Sequence, residues 1–257
     1  MPHAFLLRCL VAATMVLMLA TPIKAQGLSL GMPPDPEAAQ ISVVTDKGLT
    51  KTKYLPTAAL RNARRALLAG ERLDDATLRA LADRRDGNAA WRLVKRLRAQ
   101  NAAPSDIAHY AAVAAGQGRI HALDTMIDAM ARLDPDTEPP ARLRQLVGVL
   151  YAHAWAGNSL ALDAVIAFNG EGRLLGPLSD ATRARILKQA ARLDGRVELR
   201  LALDILAQDA PDAGDLARVR GYLDRAGQSK TLAVQTTAQN VIALLETRST
   251  GVSATTD

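Results

Sequence analysis

The chain has 257 residues, enough for one sizeable domain or two small ones. Apolar residues make up 49% and aromatics only 3%, so any core is built from Ala, Leu, Val and Ile, which suits close-packed helices and argues against sheets. The formal net charge is +6, but Arg outnumbers Lys 25 to 7, which reads first as genome composition and only second as function.

Residues 1–25 read as an export signal. His3 and Arg8 give a weakly basic start, "CLVAATMVLMLA" an apolar run, and "TPIKAQG" a cleavage site after Ala25, with Ile23 and Ala25 at the specificity positions. The run is too short to span a bilayer, which takes about 20 apolar residues. Cys9 precedes the run and so is not placed for lipid attachment. Cleavage leaves a mature chain without cysteine, hence without disulfide, thiol nucleophile or thiolate metal site. Losing Arg8 and Lys24 and no acidic residue takes the net charge from +6 to +4. The expected location is periplasmic or secreted, which argues against nucleic acid as a partner.

Residues 26–56 form an irregular leader. "GMPPDPEAAQ" carries three prolines and holds no regular element. Residues 41–54 read as an extended linker, with a small hairpin turning at Gly48 as the second reading. A helical domain follows over 57–247. Its expected helices are 57–69, 74–85, 88–100, 105–116, 119–133, 140–156, 158–169, 180–193, 196–209, 213–226 and 230–247. Gly70, Gly87, Gly157, Gly170, Gly195 and Gly227 fall at their ends, and Ser105, Asn158, Ser179 and Ser229 where an N-cap oxygen is wanted. The polar residues 248–257 read as a disordered tail.

The helices are amphipathic. In 119–133, Ile120, Leu123, Ile127 and Met130 make an apolar stripe opposite His121, Asp124, Asp128 and Arg132. Helix 158–169 has Asp163 as its one charge and should be buried nearly all round. "ALD" recurs at Ala122, Ala161 and Ala202, each in a helix that opens after a glycine turn. A period near forty residues holding two helices predicts an all-α fold, an α-solenoid of about five antiparallel helix pairs. "LADRRDGNAAWRLVKRL" and "AHYAAVAAGQGRIHALDTMIDAM" resemble tetratricopeptide-type helix pairs, closest in flavour to the Sel-like subfamily with its Ala-rich helices and glycine turns. The chain departs from that subfamily in its Tyr and Gly positions and its longer, uneven period. The resemblance implies a protein-binding scaffold and transfers no catalytic residue.

Chemistry-bearing patterns are sparse. His109, His121 and His153 show no HExxH, no HxH and no His–Glu pair at i, i+4, so no metal site is expected. No nucleophile elbow and no phosphate loop occurs, and no cofactor is expected. Glu171, in a glycine-containing loop, is the best placed carboxylate for glycan cleavage. Asp204 is expected to pair with Arg200 on an exposed stripe with Arg196 and Gln208, and Asp163 to bond a neighbouring helix end.

Charge is uneven. Residues 47–98 carry 14 basic and 5 acidic side chains. Arg84, Arg85, Trp91, Arg92, Lys95, Arg96 and Arg98 concentrate this charge around one short helix and form the candidate partner surface. The expected function is that of an exported, non-enzymatic scaffold that binds or regulates an envelope protein with an acidic surface, such as a sensor domain. Anionic polysaccharide or lipid is the other partner class, and a peptidoglycan- or polysaccharide-processing protein is the second reading.

Overall fold

The computed structural model describes residues 32, 33, 35, 40–170, 172–190, 192–208 and 210–253. The expected export signal therefore lies outside the described residues, as does Glu171. A short 3-10 turn at Thr52–Tyr54 precedes eleven α-helices among these residues. They are α1 (Ala58–Leu68), α2 (Asp75–Ala82), α3 (Gly87–Ala99), α4 (Pro104–Gly116), α5 (His121–Met130) and α6 (Pro140–Trp155), then α7 (Ser159–Phe168), α8 (Asp180–Ala190), α9 (Arg196–Leu206), α10 (Ala213–Ala226) and α11 (Leu232–Ser253). Each expected helix is present. The last runs on to Ser253, into the segment expected to be disordered.

Capping explains most of the boundaries. Asn158 Oδ1 accepts from Ala161 N at 3.0 Å and opens α7. Ser179 Oγ accepts from Thr182 N and opens α8. Asp74, Asp86 and Asp212 do the same for α2, α3 and α10. Two expected serine caps are corrected. Pro104 takes the first turn of α4, leaving Ser105 inside the helix to donate to Glu138 and accept from Arg142. Ser229 donates to Asp194 ahead of α11.

Most consecutive helices pack back on one another, but the longer loops after α5 and α7 join helices that pack little together; α4 instead touches α6, α5 touches α7, and α7 touches α9. The interior is built largely on alanine. Ala108, Ala111, Ala112, Ala114 and Ala115 are all buried, so α4 is enclosed on nearly every side. Close approach of this kind needs small residues at the helix contacts. Helix α7 is enclosed as expected, with only Leu160 and Ala167 partly open. One apolar cluster runs from Leu55 to Val197; a second joins Leu199, Ala202 and Leu203 of α9 to α10 and α11.

The turns ahead of α3, α5, α7 and α9 share one backbone feature. Arg85, Gly118, Gly157 and Gly195 all have positive φ, between 63° and 100°. Glycine takes that conformation freely, and Arg85 bears its modest strain. Measured from these residues, Ala122 and Ala161 each lie four places on, but Ala202 lies seven places beyond Gly195. The third "ALD" is therefore one helical turn out of phase. Asp204 pairs with Arg173 at 2.5 Å rather than with Arg200, and Arg196 is buried rather than on an exposed stripe.

The leader is docked, not loose. No hairpin forms; residues 41–50 run extended across the same turns. Leu49 N donates to Arg85 O at 2.8 Å, and Thr45 N and Asp46 N donate to Gly116 O at 2.8 and 3.0 Å. Ser42 Oγ donates to Gly118 O, Asn158 Nδ2 donates to Ile41 O, and Arg196 Nη1 donates to Pro33 O at 2.6 Å. The leader thus crosses four successive turns in order. Gly48 (φ +59°) lies under the Gln117 amide, and a Cβ there would fall 2.3 Å from Gln117 Cδ. Gln117 in turn donates to Arg85 O and accepts from Gly87 N, tying two turns and the leader together.

One buried group gives a pH prediction. His153 is fully buried on α6; its Nδ1 bonds Val149 O at 3.0 Å and its Nε2 has no partner. Burial pushes its pKa below the usual imidazole range, as it does for His109 beside Gln145. The unfolded chain then binds more protons than the folded one at mildly acid pH. Stability should be fully present above the unfolded value of about 6.5 and fall as pH drops from about 7 to 5. In urea melts across that range, His153→Met should flatten the slope; an unchanged slope would exclude His153 as its source.

Candidate functional site

A groove of about 700 Å³ opens along the odd-numbered helices. Its walls come from α3, α5, α7 and α9 and from residues 32, 33 and 35 of the leader. No residue of α4, α6 or α8 contributes to it. The repeated turn sets this up. By placing each odd helix equivalently, it brings Trp91, Asp124 and Asp163, each six residues beyond a positive-φ residue, to the same wall.

Apolar side chains dominate the surface: Trp91, Ile120, Ile127, Leu160 and Phe168. Two charged clusters interrupt them. Towards α3 and α5, Arg98 Nη1 donates to Thr125 Oγ1 at 3.3 Å, near Asp124 and Asp128. Desolvation at the wall, and then the Asp124 carboxylate, push the Asp128 carboxyl above its ordinary value, against the pull of Arg98 and Arg132. Towards α7 and α9, Arg196 Nη2 donates to Asp163 Oδ2 at 2.7 Å, and both side chains are almost wholly buried. Burial raises the Asp163 pKa, and Arg196 and Arg200 oppose the rise. Ser159 Oγ donates to Asp35 Oδ2 at 2.5 Å beside this pair. The Nε atoms of Arg196 and Arg200 are buried and make no hydrogen bond. The expectation that Asp163 bonds a neighbouring helix end is met by Arg196, the first residue of α9.

The seven residues of the candidate basic surface divide. Trp91 and Arg98 enter the groove. Exposed Lys95 sits over the Trp91 ring, 5.3 Å from its centroid. Arg84 is exposed, and Arg85 pairs with Asp46 of the leader. Arg92 donates to the carbonyls of Glu71 and Leu67, closing the end of α1, and Arg96 pairs with Asp75 at the start of α2. Part of the apparent patch is therefore internal scaffolding.

Sequence reasoning missed the leader residues, the Arg196–Arg200 pair, and the groove roles of Ile120 and Ile127, which look like core in any helical wheel. The lone carboxylate on α7 was the available signal. His121 lies at the groove mouth, whereas His109 and His153 are engaged elsewhere. Among the described residues no three His, Cys, Asp or Glu side chains gather as for a metal ion, and no helix is long and apolar enough to cross a membrane. No protein-family profile, characterised protein or solved structure matches the chain.

Proposed function

We propose that this chain is an exported, non-enzymatic α-solenoid, similar to tetratricopeptide-type scaffolds, that binds or regulates an envelope protein through the groove on its odd-numbered helices. The groove is the observation that carries the reading: a continuous, mostly apolar channel with charges held at both ends, built from α3, α5, α7 and α9, one helix in each of four successive pairs. The pairs are α2/α3, α4/α5, α6/α7, α8/α9 and α10/α11. The recurring positive-φ turns and the contacts between alternate helices support the solenoid. The apolar run at residues 9–20, with its small-residue site at Ala25, supports export.

Arg98 in the groove, with exposed Lys95 one turn before it on α3, favours a partner whose contacting segment is acidic. Reversing Arg92 or Arg96 would disturb α1 and α2, so the clean variant is Lys95→Glu with Arg98→Glu. It should reduce partner capture by about tenfold or more while the helical circular dichroism stays unchanged. Capture at the native level would remove the basic segment from the contact.

A further inference from the structure

The α7/α9 end of the groove contains an in-house example of what the groove recognises. Here the leader leaves the turns and forms part of the groove wall. Its contacts are specific: Arg196 Nη1 donates to Pro33 O at 2.6 Å, and Ser159 Oγ donates to Asp35 Oδ2 at 2.5 Å. Met32 packs beside them against the apolar cluster shared by α9, α10 and α11. We infer that the groove binds an extended segment bearing an apolar residue and, three places on, a carboxylate, and that residues 32, 33 and 35 of the leader hold that place until such a segment from the partner displaces them. This rests on the groove being the partner site proposed above.

Charge supports it. The helices bring two guanidiniums, Arg196 and Arg200, against one carboxylate, Asp163. Asp35 of the leader is the second carboxylate at this end. Without the leader, Arg196 and Arg200 face Asp163 as their nearest carboxylate, with Arg196 and Asp163 almost wholly buried, a setting in which a cation draws an acidic ligand strongly.

The fit of the leader is also incomplete. Arg196 is only 8% exposed, yet its Nε has no partner, and neither has the buried Nε of Arg200. A buried donor left unmatched costs free energy that a better placed acceptor recovers. A carboxylate seated to meet Nε and Nη together makes the two-point contact that guanidinium geometry favours. The tethered leader competes through its high effective concentration rather than through a complete set of contacts. That combination lets it exclude weak ligands and yield to a complementary one.

The probe is a fluorescent peptide of residues 26–40, QGLSLGMPPDPEAAQ, titrated by anisotropy into the full chain. The native chain should bind it weakly, because its own leader is in place. A chain carrying Met32→Glu and Asp35→Lys should bind it about tenfold or more tighter, since the internal competitor is gone. The same peptide with Asp35→Lys should bind neither chain. A second chain, Cys9→Ser with Asp35→Cys and Ser159→Cys, tests the point without relying on a weakened leader. When oxidised it should refuse the peptide, and reduction should restore binding. Equal affinity in native, weakened and locked chains, binding indifferent to the peptide carboxylate, or no binding by the weakened and reduced chains would each overturn the inference. Peptide exchange without capture of an envelope protein in cells would defeat the partner reading and leave this exchange standing. Groove-dependent capture without peptide exchange would do the reverse.

Discussion

Asp86→Ala should destabilise the chain by about 3–5 kcal/mol, the range for stripping one partner from a buried ion pair. Asp86 is 2% exposed and Arg64 8%. Its Oδ2 accepts from Arg64 Nε at 2.7 Å, while its Oδ1 accepts from Asn88 N and Ala89 N and caps α3. The substitution removes a cap, worth about 1 kcal/mol, and leaves a guanidinium enclosed without a counter-charge. Arg64 also donates to Leu49 O and Thr52 Oγ1, so the leader should loosen together with α3. Urea unfolding gives the energy, and hydrogen exchange at residues 45–52 gives the loosening. A loss under about 1 kcal/mol would show that the pair contributes no more than an exposed one.

Asp163→Ala should have an effect of similar size at the other end of the stack, about 3–5 kcal/mol, because it leaves Arg196 buried and unpaired. The double substitution Asp163→Leu with Arg196→Met separates charge from packing. Replacing both members by apolar groups of similar volume is often neutral, so the double variant should recover most of the loss. It should not recover the leader anchor, since Arg196 is also the donor to Pro33 O. Thermal melts of both variants check the energies; an equally unstable double variant would mean that the loss is steric.

The helices were legible because their signals are local. Asn158 caps at three residues' range, and the apolar spacing in α7 announces an enclosed helix without any knowledge of its neighbours. The groove was half legible for the opposite reason. Ile120 and Ile127 fall on the same stripe as buried Met130, and only the packing of the assembled helices decides which apolar residues face a channel. Asp163 stood out as anomalous, but its partner lies 33 residues away, across a loop whose length says nothing of geometry. The recurring tripeptide was a partial guide. Two copies mark equivalent positions, and the third is shifted by a turn, which the backbone conformation at Gly195 reveals and residue identity does not. Residues 41–50 of the leader form no helix or strand. Much of its docking rests on backbone groups at Arg85, Gly116 and Gly118, which carry no side-chain signature, and its side-chain anchors, Arg64, Asn158 and Arg196, lie far away in sequence.

The proposed partner surface is the groove, and not the outer layer. Photo-crosslinking in living cells tests it most directly, with a photoreactive residue placed at Ile127 inside the groove or at exposed Arg144 on α6. One dominant envelope protein should attach at 127 and not at 144, and should be lost when Lys95 and Arg98 are reversed to Glu. The same adduct from both positions, or an adduct from 144 alone, would contradict it.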